Sequence, residues 1–315
     1  MPTQPRRFGL TTVDLTMLGV PVLWGVNYAV IKAALREFRP MAFNGVRFAL
    51  ATATIGLLLR HRGTSLRMPR EGLWRLALLG VLGHAIYQLL FIEGIARTTA
   101  ANASLIMASS PMLVALLATA LGREKVHRHG WLGVALAVAG LTLVISAQGV
   151  DSFTDLNFAG DLLVLAAAGA WALYSVLASG VIAHTSSLSA TMVTLLSGTP
   201  VLLLMAAPSL ASQNWRGIGA RGWLGVAFSG ILAIGLGYLI WNTGLGELGG
   251  TRTAVYSNLT PVVAAALAWV TLGERWNLAQ AVGAAAVLAG IALTRGGTVH
   301  KVSSEHVRPE APQVT

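Results

Sequence analysis

The chain contains no cysteine in 315 residues. Disulfides, thiol nucleophiles and thiolate-bound metals are excluded with it. Charge is scarce as well: Asp, Glu, Lys and Arg make up 11% of the residues, where a soluble domain carries roughly a quarter. So few charges cannot clothe a water-facing surface. There is also no H-E-x-x-H, no Ser-centred G-x-S-x-G and no Walker sequence. Hydrolytic chemistry and ATP binding therefore have no visible carrier. No enzyme activity, cofactor or metal is expected. Acidic residues number 12 against 22 basic ones, for a net charge of +10. A basic total often marks nucleic-acid binding. Membrane proteins, however, concentrate Lys and Arg on the cytoplasmic side, and a chain this apolar fits that reading, with the bilayer and not nucleic acid as its partner.

What the chain has in quantity is apolar sequence: 55% hydrophobic residues and a mean hydropathy of +0.67. Ten segments of spanning length can be drawn, roughly 12–34, 41–59, 73–94, 99–121, 129–147, 160–183, 187–206, 221–245, 251–271 and 277–294, each near the 20 residues a bilayer requires. Short links such as "GREKVHRHG" and "GVDSFTDLN" separate them, and the polar, unpatterned tail 295–315 is expected to be disordered. The basic start "MPTQPRR" precedes a long apolar run without a small-residue cleavage site, so an uncleaved first span is expected. With the N-terminus in the cytoplasm, 14 basic residues fall inside and 6 outside, while Lys32 and Arg47 lie within spans. This bias places both termini in the cytoplasm.

The bias is uneven: 10 against 3 through residue 150, and 4 against 3 beyond it. An internal repeat accounts for this. Trp24 aligns with Trp171, Phe91 with Trp241, Gly94 with Gly244, Pro111 with Pro261 and Glu124 with Glu274, at an offset near 150 residues. Residues 12–147 and 160–294 thus read as two five-span repeats. Five is odd, so the second copy is expected upside down, and an inverted copy loses the charge bias of the first. Inverted repeats of this kind belong to secondary transporters with a midplane site.

Polar and aromatic residues recur on matched helices at helical spacing. "GHAIYQLLF" places His84, Tyr87, Gln88 and Phe91 at i, i+3, i+4 and i+7, on one face. Span 1 has Trp24, Tyr28 and Lys32 with Asn27 beside them; span 6 has Trp171, Tyr174 and Ser175. Span 8 has Tyr238, Trp241 and Asn242, span 9 Tyr256, Ser257 and Asn258, and span 4 Asn102, Met107, Ser109 and Ser110. Tryptophan and tyrosine also anchor spans at bilayer interfaces, and small polar groups also glue helices together. Stripes matched between paired helices favour a shared, water-accessible cavity instead. His84 is expected to face it near the midplane. Spans 2, 5, 7 and 10 have few such residues in their centres, and spans 5 and 10 read as scaffold. Gly133-x-x-x-Ala137 in span 5 and Ala286-x-x-x-Gly290 in span 10 suit close helix contact. Pro111 and Pro261 each remove a helix hydrogen bond and are expected to kink spans 4 and 9.

"LWGVNYAVIK" in span 1, "RFALA" in span 2, and "SSPMLVALLATALGREK" echoed by "NLTPVVAAALAWVTLGER" resemble the drug/metabolite transporter superfamily, EamA-type branch, over residues 12–294. Within it, the aromatic face is similar to that of the aromatic amino-acid exporters. The resemblance implies an all-α polytopic membrane protein with ten transmembrane helices in two inverted five-helix repeats. It also implies alternating access around a cavity formed mainly by spans 1, 3, 4, 6, 8 and 9, in the inner membrane of a bacterium. A monomer exporting aromatic and other apolar amino acids is the expectation. A drug-like cation, a nucleobase or another small metabolite is the alternative.

Overall fold

The computed structural model describes residues 12–300 apart from 67, 123, 127, 147–155, 274–276 and 297. Eight helical segments are long and apolar enough to cross a membrane: α1 (Thr12–Ala34), α2 (Pro40–His61), α3 (Arg70–Arg97), α4 (Ala100–Ala120), α6 (Asn157–Ile182), α7 (Ser187–Ala211), α8 (Ala220–Glu247) and α9 (Gly250–Leu272). Two further helices, α5 (Arg128–Ser146) and α10 (Leu278–Gly296), have 19 residues each. The described residues depart from an all-helical chain in one ribbon, where β1 (Glu124–Val126) pairs antiparallel with β2 (Thr298–His300). The tail is thus helical to Gly296 and forms a strand at Thr298–His300, while 301–315 and the Asp151–Asp155 loop lie outside the described residues.

Local chemistry marks where these helices begin and end. Thr99 caps α4, its hydroxyl accepting from the Asn102 amide at 3.1 Å. Gly122 (φ 69°) and Gly273 (φ 71°) end α4 and α9 in the left-handed conformation that favours glycine. Both helices are interrupted just before their prolines. In α4 the helix gives way at Ala108–Ser109 ahead of Pro111, and in α9 a 3₁₀ turn covers Ser257–Leu259 ahead of Pro261. Proline offers no N–H to the preceding turn, so the break falls there.

The closest helix pairings are α5 with α10, α3 with both α6 and α7, α2 with α7, and α1 with both α8 and α9. The first pairing rests on the small residues the sequence points to. A Cβ on Gly290 would lie 2.5 Å from the Gly133 carbonyl and the Ala137 amide, and one on Gly140 2.6 Å from the Gly283 carbonyl. The two backbones therefore touch. Two spans widen into π-helix at the centre, α3 over Val81–Ile86 and α8 over Phe228–Leu236. Such turns displace backbone carbonyls from the regular ladder and cluster at functional sites. One of them, Ala233, accepts the Trp24 indole N–H at 3.0 Å.

Candidate functional site

The widened segment of α8 lines a central cavity through Ala233 and Ile234, and α3 reaches it just beyond its own widened segment, from Tyr87 onward. Its aromatic wall is made by Trp24 and Tyr28 of α1, Tyr87 and Phe91 of α3, Trp171 of α6 and Tyr238 of α8. Trp171 is the hub. Its ring lies 5.0 Å from Tyr87, 5.4 Å from Tyr238 and 5.6 Å from Trp24, centroid to centroid. Tyr28 meets Phe91 edge-on at 5.6 Å. These separations and tilts are those at which ring quadrupoles attract. Met107, Ala108, Ala233 and Ile234 complete the apolar lining.

The polar lining is Asn27, Arg47, Gln88, Ser104, Ser110, Ser257 and Thr260. Three buried oxygens here, Asn27 Oδ1, Ser110 Oγ and Thr260 Oγ1, have no hydrogen-bond partner. Ser110 and Thr260 open the helical pieces that carry Pro111 and Pro261. Unpaired polar groups in a low-dielectric interior cost about 1–3 kcal/mol each, so a bound molecule that satisfies them gains accordingly. The free volume is about 50 Å³, well below the roughly 300–1,000 Å³ of ordinary ligand pockets. The rings fill the site, and a substrate must push them apart.

Of the residues singled out in the sequence, Trp24, Asn27, Tyr28, Tyr87, Gln88, Phe91, Trp171 and Tyr238 are brought together on this lining, as are Met107, Ser110 and Ser257. Others stand outside it. Trp241 packs one layer back, 5.1 Å from Trp24 and 5.4 Å from Trp171. Tyr174 stacks on Trp171 at 5.2 Å and donates to Asn242 Oδ1 at 2.9 Å, while Asn242 donates to Thr191 at 2.9 Å. Tyr256 donates its hydroxyl proton to Asp14. His84 lies behind Tyr238, ring on ring at 4.9 Å and 16°, and neither of its nitrogens has a hydrogen-bond partner.

Three features escaped sequence reasoning. In span 2, poor in such residues, Arg47 lines the cavity, fully buried, with Asn44 beside it. Asp161, also fully buried, accepts from Thr98 Oγ1 at 2.5 Å and Asn102 Nδ2 at 3.3 Å, joining α6 to the start of α4. Asp14 ties α1 to α9 in the same manner. Charged residues inside apolar runs were the available signal, since Arg47 had been noted only as lying within a span. Lys32 is held at the end of α3, donating to the carbonyls of Ile95 (3.1 Å) and Thr98 (2.6 Å), where a cation also suits the helix dipole.

Comparison with known proteins gives this architecture a family. The EamA-like transporter family matches the chain twice, over residues 11–146 and 158–296. An uncharacterized transporter of Bacillus subtilis, YyaM, is 28% identical across 91% of this chain and 94% of its own length. Probable amino-acid metabolite efflux pumps of Salmonella typhimurium and Escherichia coli are 28% and 26% identical, each across 86% of this chain and 91% of their own length. A crystal structure covering 91% of this chain and 99% of its own superposes with a TM-score of 0.69 at 21% identity, which speaks for the fold alone. A polytopic helical protein that the family matches in both halves, it is a transporter and not an enzyme: the chain belongs to the EamA-like transporter family.

Proposed function

We propose that this chain exports aromatic and other apolar amino acids across the inner membrane of a bacterium, by alternating access through the central cavity. The observation that carries the reading is the cavity wall. Six aromatic rings share it with unpaired polar oxygens, a combination matched to a molecule with an apolar side chain and a polar head. Trp24, Tyr28, Tyr87, Phe91, Trp171 and Tyr238 enclose the side chain; Asn27, Gln88 and the hydroxyls of Ser110 and Thr260 bind the head. Trp241, Tyr174, Asn242 and His84 hold that wall from behind, and Tyr256 ties α9 to Asp14 of α1. Two relatives carry the description of amino-acid metabolite efflux pumps. No carboxylate is among the lining residues, which argues against the drug-like cation.

The proposed mechanism has ten spans in two inverted halves, 12–147 and 160–294, that rock about the cavity. The pairing of helices supports it. Contacts between α3 and α6 are mirrored by those between α8 and α1, and contacts between α4 and α6 by those between α9 and α1. Pro111 and Pro261 let α4 and α9 flex where they line the cavity.

Counterflow of radiolabelled tryptophan, tyrosine and leucine in proteoliposomes tests the function. Saturable exchange that favours the aromatic substrates is expected, and no exchange of any of the three ends the proposal. For topology, single cysteines in the 149–158 loop and at Ser186 are placed in the naturally cysteine-free chain. An impermeant thiol reagent applied to intact cells should label the first and spare the second; the reverse pattern contradicts both termini being cytoplasmic.

A further inference from the structure

Arg47 is wholly buried within an apolar span and lines the cavity. Its guanidinium is held by neutral acceptors. Nη1 donates to Ser229 Oγ at 2.8 Å; Nη2 donates to Asn44 Oδ1 and to Gln88 Oε1, both at 2.7 Å; Nε donates to Asn44 Oδ1 at 2.9 Å. The rings of Phe43 and Phe48 lie 5.2 and 5.9 Å from its carbon. Among the described residues it forms no ion pair. A full cation in a membrane interior is costly and ordinarily pairs with a charge of opposite sign or marks a substrate pathway. Here four of the five N–H donors are used, and one on Nη1 remains.

We propose that Arg47 recognises the carboxylate of the substrate. This rests on the amino-acid reading of the cavity and adds to it the group that binds the acid end. The missing anion arrives with the cargo. Gln88 Oε1 is the neutral acceptor on Nη2, and Gln88 is itself anchored through Nε2 to the Tyr238 hydroxyl at 2.7 Å. A carboxylate takes the free Nη1–H and displaces the Gln88 oxygen from Nη2, giving the two-pronged contact that suits a planar guanidinium. The released Gln88 moves with Tyr238, which lines the aromatic wall. Recognition of the acid end is thereby coupled to the rings that must part for the side chain.

The test is competition for tryptophan counterflow in the reconstituted full-length protein. Three analogues are used: indole-3-propionate, which keeps the carboxylate, and tryptamine and tryptophanamide, which lack it. Wild type should prefer tryptophan and indole-3-propionate over the other two by at least about tenfold, as loss of one charge-assisted contact implies. Arg47→Gln should erase that preference by weakening only the carboxylates. Equal competition by tryptophanamide in wild type overturns the assignment, and so does an Arg47→Gln protein in which all ligands weaken alike. Where Arg47→Gln does not fold, the wild-type competition decides. If tryptophan is not exchanged at all, the amino-acid reading fails. Thermal stabilisation of wild type by benzoate but not benzamide then tests Arg47 separately, and equal or absent stabilisation overturns it.

Discussion

In the first half of the chain, Gly94 faces α6 so closely that a Cβ would lie 2.7 Å from Val164; in the second half, Gly244 faces α1 with Met17 at 2.7 Å from the same virtual atom. Asp161 secures the start of α6 to α4, and Asp14 secures the start of α1 to α9. Trp24 and Trp171 meet across the cavity. Each of these pairs stands 147–150 residues apart. Around the cavity the likeness is only partial: Trp24 matches Trp171 and Ser110 matches Thr260, but other positions diverge. At an offset of 150 residues Arg47 corresponds to Ser197, His84 to Ile234 and Gln88 to Tyr238. Where backbones touch, sterics leave little choice of residue, and both halves make the same choice. Where side chains line the cavity, the first half supplies the charge, both amides and four of the six rings, and the second supplies two rings and the hydroxyls of Ser257 and Thr260. An amphipathic molecule then has one orientation in the cavity rather than two.

The frame gives the largest expected effect. Gly290→Leu drives a side chain into the Gly133 carbonyl and the Ala137 amide of α5, already 2.5 Å from a mere Cβ. Separating the pair is expected to cost about 3 kcal/mol or more, and the purified variant should lose its monodisperse peak in detergent. Gly140→Leu should fail equally, because its neighbours are the matching atoms of α10. Gly169→Leu, where no atom lies within 4 Å of the added Cβ, should purify like wild type. If Gly290→Leu melts at the wild-type temperature, the α5–α10 pairing is wrong.

Next come the two tryptophans that face each other. Trp171 touches five rings, those of Trp24, Tyr87, Tyr174, Tyr238 and Trp241, whereas Trp24 touches three. Trp171→Ala should lower stability by about 3–5 kcal/mol and transport of aromatic substrates with it. Trp24→Ala should cost less stability and still impair transport. Wild-type transport in both variants would return these residues to the class of interfacial anchors.

The aspartates separate the halves more finely. Asp161 holds Thr98 and Asn102, and Asn102 in turn accepts from Gln280 of α10 at 2.8 Å. Asp14 receives the Tyr256 hydroxyl. Removing a carboxylate strands its donors at about 1–3 kcal/mol. Asp161→Ala should therefore melt below Asp14→Ala by thermal scan of the purified proteins. The opposite ranking would mean that the tie at the α1–α9 end carries more of the load.

Much of this was legible in the sequence. The span positions follow from run length, and the small-residue contact of α5 with α10 from glycine spacing. Eleven of the seventeen residues that line the cavity lie on the i, i+3, i+4 stripes of matched helices. What escaped did so for physical reasons. A stripe needs several members, and Arg47 with Asn44 makes only a pair on a helix whose other polar residues are Thr52, Thr54 and the terminal Arg60 and His61. Periodicity gives the face of a straight helix, and α3 widens into π-helix at Val81–Ile86, which turns His84 away from the direction that 3.6 residues per turn would give it. Asp14 and Asp161 sit near helix starts, where an acidic residue usually needs no explanation.

His84 carries the smallest expected effect and the sharpest test of that last point. It is fully buried, its nitrogens are unpaired, and its contacts are aromatic: Tyr238 at 4.9 Å, Tyr174 at 5.7 Å and Phe48 at 6.0 Å. Phenylalanine keeps the ring against Tyr238 and removes two polar atoms that make no bond. Replacing an unsatisfied polar group by an apolar one of similar shape is neutral or mildly stabilising. His84→Phe should accordingly melt within about 1 kcal/mol of wild type, or slightly above it, and exchange tryptophan at close to the wild-type rate. His84→Ala should do worse, because it leaves a void behind a ring that lines the cavity. If instead a folded His84→Phe fails to transport while His84→Gln succeeds, the nitrogens form hydrogen bonds at another stage of the cycle. The ring then swings into the cavity, as its place on the sequence stripe with Tyr87 and Gln88 suggests, and the position behind Tyr238 is one end of that motion.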